Sequence, residues 1–262
     1  MKDRGNSFGK KGQVTIFIIV AVLVVSISVL AYFFLPGVLV DLGISSQNPN
    51  EYVQGCLEDS IRENVKTISE QGGSLNPENY IMDKDQKIEY LCYTDENYLP
   101  CVMQQPLLKQ HVEGEIENAI KSQADSCIDS LKETFEKKGY TASIGAGEMK
   151  IELLPQRIVS TFDGQVTLTK ESSERFDKIS VVVNNNIYEL ITIANSILNW
   201  EARYGEAETT IYMNYYHDLK VEKNLQSDGT TIYRLTNRET GDKFQFASRS
   251  VALPPGIGVE NA

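Results

Sequence analysis

The hydrophobic positions of this chain fall into one unbroken apolar run and a long body of shorter, periodic segments. Val14 to Leu35 reads VTIFIIVAVLVVSISVLAYFFL, 22 residues without a charge. As a helix it would reach about 33 Å, enough for the hydrocarbon core of a bilayer. Only Thr15, Ser26 and Ser28 are polar, so the run lacks the polar stripe of a buried core helix. A cleaved secretory signal has a shorter apolar region and a small-x-small site after it. Here Pro36 follows directly and no Ala-x-Ala is present. The pattern predicts a transmembrane helix over 13–36, stopped by Pro36-Gly37 because proline lacks the backbone donor a helix needs. Residues 37–50 then read as a polar linker ending Ser45-Ser46-Gln47-Asn48-Pro49-Asn50.

Helical spacing returns at Val53, Leu57, Ile61, Val65 and Ile68, predicting a helix from an Asn50 cap to about Gln71, ended by Gly72-Gly73. Residues 74–86 read as an irregular connection, and 87–93 and 98–102 as strands around a Thr94–Asn97 turn. Pro106 opens a second helix to Lys138, with Leu108, Val112, Ile116, Ile120, Ala124, Ile128, Leu131 and Phe135 on one face. Short strands are predicted at 140–144, 149–154, 157–162 and 166–169, then a third helix over 173–204. Four more strands follow, at 209–216, 219–225, 230–236 and 243–248. The expected fold class is α+β: one N-terminal transmembrane helix followed by an extracellular domain (51–256) with three helices and an antiparallel sheet, and a 257–262 tail.

Charge gives this plan a direction. The chain of 262 residues carries a net −11, yet residues 1–12 hold Lys2, Arg4, Lys10 and Lys11 against Asp3 alone. That basic leader belongs on the cytoplasmic side of the cell membrane and the acidic body outside, making the chain single-pass with the lipid bilayer as its first partner. An acidic body also offers no basic face for phosphate, which excludes nucleic acid as a partner. With 41% hydrophobic residues, the chain is too apolar to be disordered.

Ahead of the apolar run stands Lys10-Lys11-Gly12-Gln13-Val14-Thr15-Ile16-Phe17. It resembles the class III signal of archaeal type IV pilins. That resemblance implies a prepilin peptidase as partner, cutting between Gly12 and Gln13, with Lys10, Lys11, Val14 and Thr15 completing the signal. It also implies copies of the chain itself as filament neighbours. Phe17 stands where bacterial pilins carry glutamate, which fits the looser archaeal pattern. The competing reading is an uncleaved anchor whose basic flank happens to contain Gly12. The run from Gly55-Cys56-Leu57 to Glu70-Gln71-Gly72-Gly73, and Tyr90-Leu91-Cys92-Tyr93 leading to Pro100-Cys101, add a wider likeness to uncharacterised membrane-anchored proteins of small-genome archaea.

Four cysteines, Cys56, Cys92, Cys101 and Cys127, fall on the predicted external side, where oxidation persists. A turn at 95–97 would bring Cys92 to Cys101, leaving Cys56 and Cys127 to join the first two helices. Free buried thiols and a metal site are the alternatives, though the spacing offers no C-x-x-C pair for zinc.

The sequence offers no recognisable catalytic set. His111 and His217 are the two histidines, the first on a face that looks solvated and the second near a strand end. No G-x-S-x-G, Walker A or dinucleotide glycine pattern occurs, and Gly145-Ala146-Gly147 lacks the lysine and helix start of a phosphate loop. Asp83, Asp85, Asp95 and Glu96 lack EF-hand spacing. No cofactor is expected. Tyr204, Tyr212, Tyr215, Tyr216 and Tyr233 gather in the last third, either as a contact surface or as filling for one sheet face. The functional expectation is therefore a membrane-anchored, non-enzymatic surface protein with a pilin-like N-terminus, with a permanently anchored ligand- or protein-binding ectodomain as the alternative. A surface enzyme with an unrecognised site stands third.

Overall fold

A computed structural model describes Val20, residues 22–26 and residues 48–251. The leader with Lys10, Lys11, Gly12, Gln13, Val14 and Thr15, most of the apolar run, the 37–47 linker and the tail lie outside the described residues. Val20 and residues 22–26 are helical, but among the described residues no helix is long and apolar enough to cross a membrane, so the expected transmembrane helix is not borne out. The chain divides into two compact units, Met1–Gln47 and Asn48–Ala262.

The second unit is α+β, but its described residues hold four helices and three sheets rather than three helices and one sheet. It opens with α1 (Pro49–Glu70), whose cap is Asn48 rather than the expected Asn50. The Asn48 side chain accepts a hydrogen bond from the Asn50 N–H at 2.9 Å, and Pro49 takes the first turn, where a missing donor costs nothing. Helix α2 (Leu108–Lys137) buries the predicted stripe from Leu108 to Phe135, together with Cys127. α1 packs beside α2, and this pair forms the spine of the core.

One sheet has the order β1-β2-β12-β11-β10, from β1 (Tyr80–Asp83), β2 (Gln86–Tyr93), β10 (Leu219–Leu225), β11 (Thr230–Asn237) and β12 (Lys243–Arg249). The two-residue β3 (Val102–Met103) adds to β2 and is all that forms of the expected 98–102 strand. Within this sheet β2 and β12 run parallel, with a shift of register between Ala247 and Ser248, so the sheet is not purely antiparallel as expected. Two small antiparallel sheets, β4-β7-β8 and β5-β6-β9, cover the other side of the helices. They comprise β4 (Thr141–Ile144), β5 (Met149–Leu154), β6 (Arg157–Phe162), β7 (Val166–Thr169), β8 (Ser173–Phe176) and β9 (Ile179–Asn184).

The helix expected from Ser173 begins only at Ile187, as α3 (Ile187–Tyr204). Its first third is instead β8 and β9. Ile179, Val181 and Val183 are buried while their neighbours are not, a two-residue period that suits β-branched side chains on a pleat. Asn185 breaks the chain between strand and helix, its side-chain oxygen accepting from the Ile187 N–H at 2.8 Å. Helix α3 ends at Gly205 with φ 82°, where an added Cβ would lie 2.2 Å from a Val251 methyl. Residues 209–216, expected as a strand, form the short helix α4 (Thr210–Tyr215). Its Tyr212 hydroxyl meets Ser196 of α3 at 2.8 Å, and Met213 Sδ accepts from the Val221 N–H at 3.4 Å. Tertiary docking overrides the strand preference of this aromatic stretch.

Candidate functional site

All four cysteines are bridged in the expected pairs. Cys56 of α1 joins Cys127 of α2 with Cα atoms 6.1 Å apart, and Cys92 of β2 joins Cys101 across 5.3 Å. Both separations lie within the range a disulfide spans. Among the described residues no three of histidine, cysteine, aspartate and glutamate come together as a metal set.

Two buried polar clusters stand where chemistry could be sought. In the first, Ser74 Oγ donates to Glu89 Oε2 at 2.5 Å and lies 2.8 Å from His111 Nε2, while Glu115 Oε2 accepts from the Leu75 N–H at 2.8 Å. His111 is half-buried in this cluster and not on a solvated face, which corrects the sequence reading. The serine hydroxyl has one proton and spends it on Glu89, so His111 Nε2 must donate to Ser74. A nucleophilic triad needs the reverse, with histidine between serine and acid and taking the serine proton. Burial pushes the Glu89 carboxyl above its ordinary value. The cluster clasps the turn after α1 to β2 and α2.

In the second cluster, Glu201 on the last turn of α3 is only 2% exposed. Its Oε1 accepts from the Tyr233 hydroxyl and from the Ala207 N–H at 3.1 Å, and its Oε2 accepts from Ser248 Oγ at 3.1 Å. Ser250 Oγ donates to the Glu201 carbonyl at 3.0 Å and accepts from the Cys101 N–H at 3.0 Å, so the second disulfide belongs to the same knot. Burial raises the Glu201 carboxyl, and burial with the adjacent carboxylate raises the Tyr233 phenol. Both carboxylate oxygens are partnered, which suits a structural role better than proton transfer to a substrate. The sequence carried one sign of this acid: Glu201 stands four residues after Ile197 on the apolar stripe of α3.

The predicted tyrosine group divides. Tyr233 is wholly buried and stacks on Phe246 with ring centres 5.1 Å apart. Tyr204 and Tyr215 are 60% and 77% exposed, and each pairs with an exposed aromatic neighbour, Trp200 and Tyr216, at 4.8 Å. His217 is exposed beside Tyr216. Next to this aromatic surface a cavity of about 250 Å³ opens between the first half of α3 and the 216–219 connection. A wider recess of about 440 Å³ lies between α2 and the Gly145–Gly147 loop. Asp125 and Asp129 line that recess with Lys132, so the glycine loop faces like charge and is no seat for phosphate. Glu189 and Asp218, which line the smaller cavity, were not singled out by any sequence motif.

No family model matches the chain, and no curated protein or solved structure is significantly similar to it.

Proposed function

We propose that the protein is a membrane-anchored, non-enzymatic surface protein with a pilin-like start, built as a subunit of a type IV pilus-like filament. The observation that carries this reading is the pairing of all four cysteines into two disulfides in the body, which suits a chain that works outside the reducing cytoplasm. The Lys10-Lys11-Gly12-Gln13 signal and the apolar run behind it supply the route. The apolar run holds the subunit at the cell membrane with the basic leader in the cytoplasm, and in a filament it exchanges lipid contact for contact with its copies. The acidic, cross-linked body faces water.

The second reading, a permanently anchored binding ectodomain, is favoured by the exposed aromatic surface around Tyr204, Tyr215 and Tyr216, since such rings concentrate at contact sites. N-terminal mass spectrometry on native membranes separates the two. A mature start at Gln13 is the result expected for a filament subunit, whereas an intact or merely Met-trimmed terminus overturns prepilin processing and leaves the anchored binder.

A further inference from the structure

We infer that the outer edge of β9 is a self-pairing surface for a second copy of the chain, held closed by a row of polar side chains on α1. The inference goes beyond the filament reading and does not depend on it.

β9 reads Ile-Ser-Val-Val-Val-Asn, 6 residues with no charge, no proline and no glycine. Short β-branched segments of this composition pair readily with copies of themselves. β6 pairs β9 on one side and, among the described residues, no strand pairs it on the other. A free edge of this kind offers its N–H and C=O groups to any incoming strand. Here side chains of α1 take those groups at Ser180, Val182 and Asn184. Gln54 spends one amide on both polar groups of Val182. Its Oε1 accepts from the Val182 N–H at 2.9 Å, and its Nε2 donates to the Val182 carbonyl at 2.9 Å. A residue of a neighbouring antiparallel strand would make the same two bonds. Asn50 Oδ1 accepts from the Ser180 N–H at 2.9 Å, and Arg62 Nη1 donates to the Asn184 carbonyl at 3.4 Å.

Helix and strand geometry explain the match. Asn50, Gln54, Glu58 and Arg62 stand four apart and form one ridge along α1. Alternate residues of β9 turn their backbone groups toward the same edge. Four helical residues rise about 6 Å and two strand residues about 6.6 Å, so ridge and edge stay in step. Glu58 comes level with Asn184 but, as a carboxylate, has no proton for its carbonyl. It ties the ridge together instead, accepting from Gln54 Nε2 at 2.8 Å and from Arg62 Nη2 at 2.7 Å. The Val182 side chain is 43% exposed, so this edge lies at the surface. A second copy suits it because that copy's β9 brings the same uncharged edge. A two-fold axis at Val182 then lets each strand satisfy the other.

Sedimentation of the full chain in detergent tests the lock, comparing the native sequence with Asn50→Ala/Gln54→Ala and with Gln54→Ala alone. Alanine favours helix, so α1 keeps its form; circular dichroism checks this, and the single variant carries the test if the double one fails to fold. The opened variants are expected to reach about twice the protein mass of the native chain, rising with concentration. Adding Val182→Pro removes only the outward N–H of β9 and should restore the native mass. Val182→Lys, which sets two lysines opposite each other, should restore it too. Hydrogen exchange reads the lock directly, with the Val182 amide of the dilute opened variants exchanging about tenfold faster than in the native chain. A folded opened variant that keeps the native mass at every concentration overturns the inference. Association that survives both Val182 changes does the same, and so does unchanged exchange at Val182.

Discussion

The contact between α1 and α2 and the contact between α3 and the five-stranded path of the large sheet solve the same problem differently. α1, with Val53, Leu57, Ile61 and Val65 buried, packs beside α2, and a covalent bridge, Cys56–Cys127, fixes the pair. The α3 contact also buries apolar groups, Tyr233, Phe244 and Phe246 among them, but places an acid, Glu201, in their midst. No side chain buried along α1 or α2 titrates, Cys127 being bridged. The second contact is positioned by directional hydrogen bonds and takes on a titratable group in exchange, since a buried carboxylate costs stability unless all its partners are present.

The largest effect that follows separates the two bridges. Cys56→Ala with Cys127→Ala opens a link spanning 71 residues, and Cys92→Ala with Cys101→Ala one spanning 9. On the chain-entropy account the first pair should lose about 4.5 kcal/mol of stability and the second about 2.5 kcal/mol, read as shifts in denaturant midpoint at constant slope. Equal losses would mean that native strain or residual unfolded structure, not loop length, sets the contribution.

Next comes Tyr233→Phe, which removes one donor from Glu201 without changing the packing of the ring. A loss of about 2 kcal/mol is expected in chemical denaturation, the cost of leaving a buried carboxylate short of a partner. Removing the ring contact instead, through Phe246→Leu, tests whether stacking or the hydroxyl matters more.

The smallest effect is the pH dependence that Glu201 brings to the second contact. Glu201 is raised above 4.5 in the folded state by burial, so the folded chain holds its proton more firmly than the unfolded chain does. Its contribution is therefore fully present below that ordinary value and is lost as pH rises through the raised one. Glu89 acts in the same direction, while Asp163 and Asp177 are lowered and act oppositely, though both are solvent-exposed and weak. Thermal melts across this range should therefore show the native chain losing stability relative to Glu201→Gln as pH rises. Parallel curves for the two proteins would show that Glu201 does not titrate differently on folding.

The fold is legible in the sequence where one local signal dominates. The 3.6-residue stripes of α1 and α2 and the turn-bounded strands 149–154, 157–162 and 166–169 emerged at nearly their observed limits. Both disulfide pairs followed from where those elements put their cysteines. Segments 173–184 and 209–216 depart from the expectation because their composition suits either state and the neighbours decide: β6 recruits β9 as a strand, and Tyr212 and Met213 dock as a helical turn. No signal marked Glu189 and Asp218 as neighbours, since they lie 29 residues apart and share no motif.

By itself, then, the sequence determined the periodicity of its helices, the alternation of most of its strands, the acidic balance and the cysteine partners, because each depends on residues close in the chain or on a simple count. Only the tertiary structure decided that the strands form three sheets, that β2 runs parallel to β12, that Glu201 is enclosed by Tyr233 and Ser248, and that Glu189 and Asp218 line one cavity. Those arrangements depend on which distant surfaces exclude water together, and that is a property of the packed chain rather than of any segment within it.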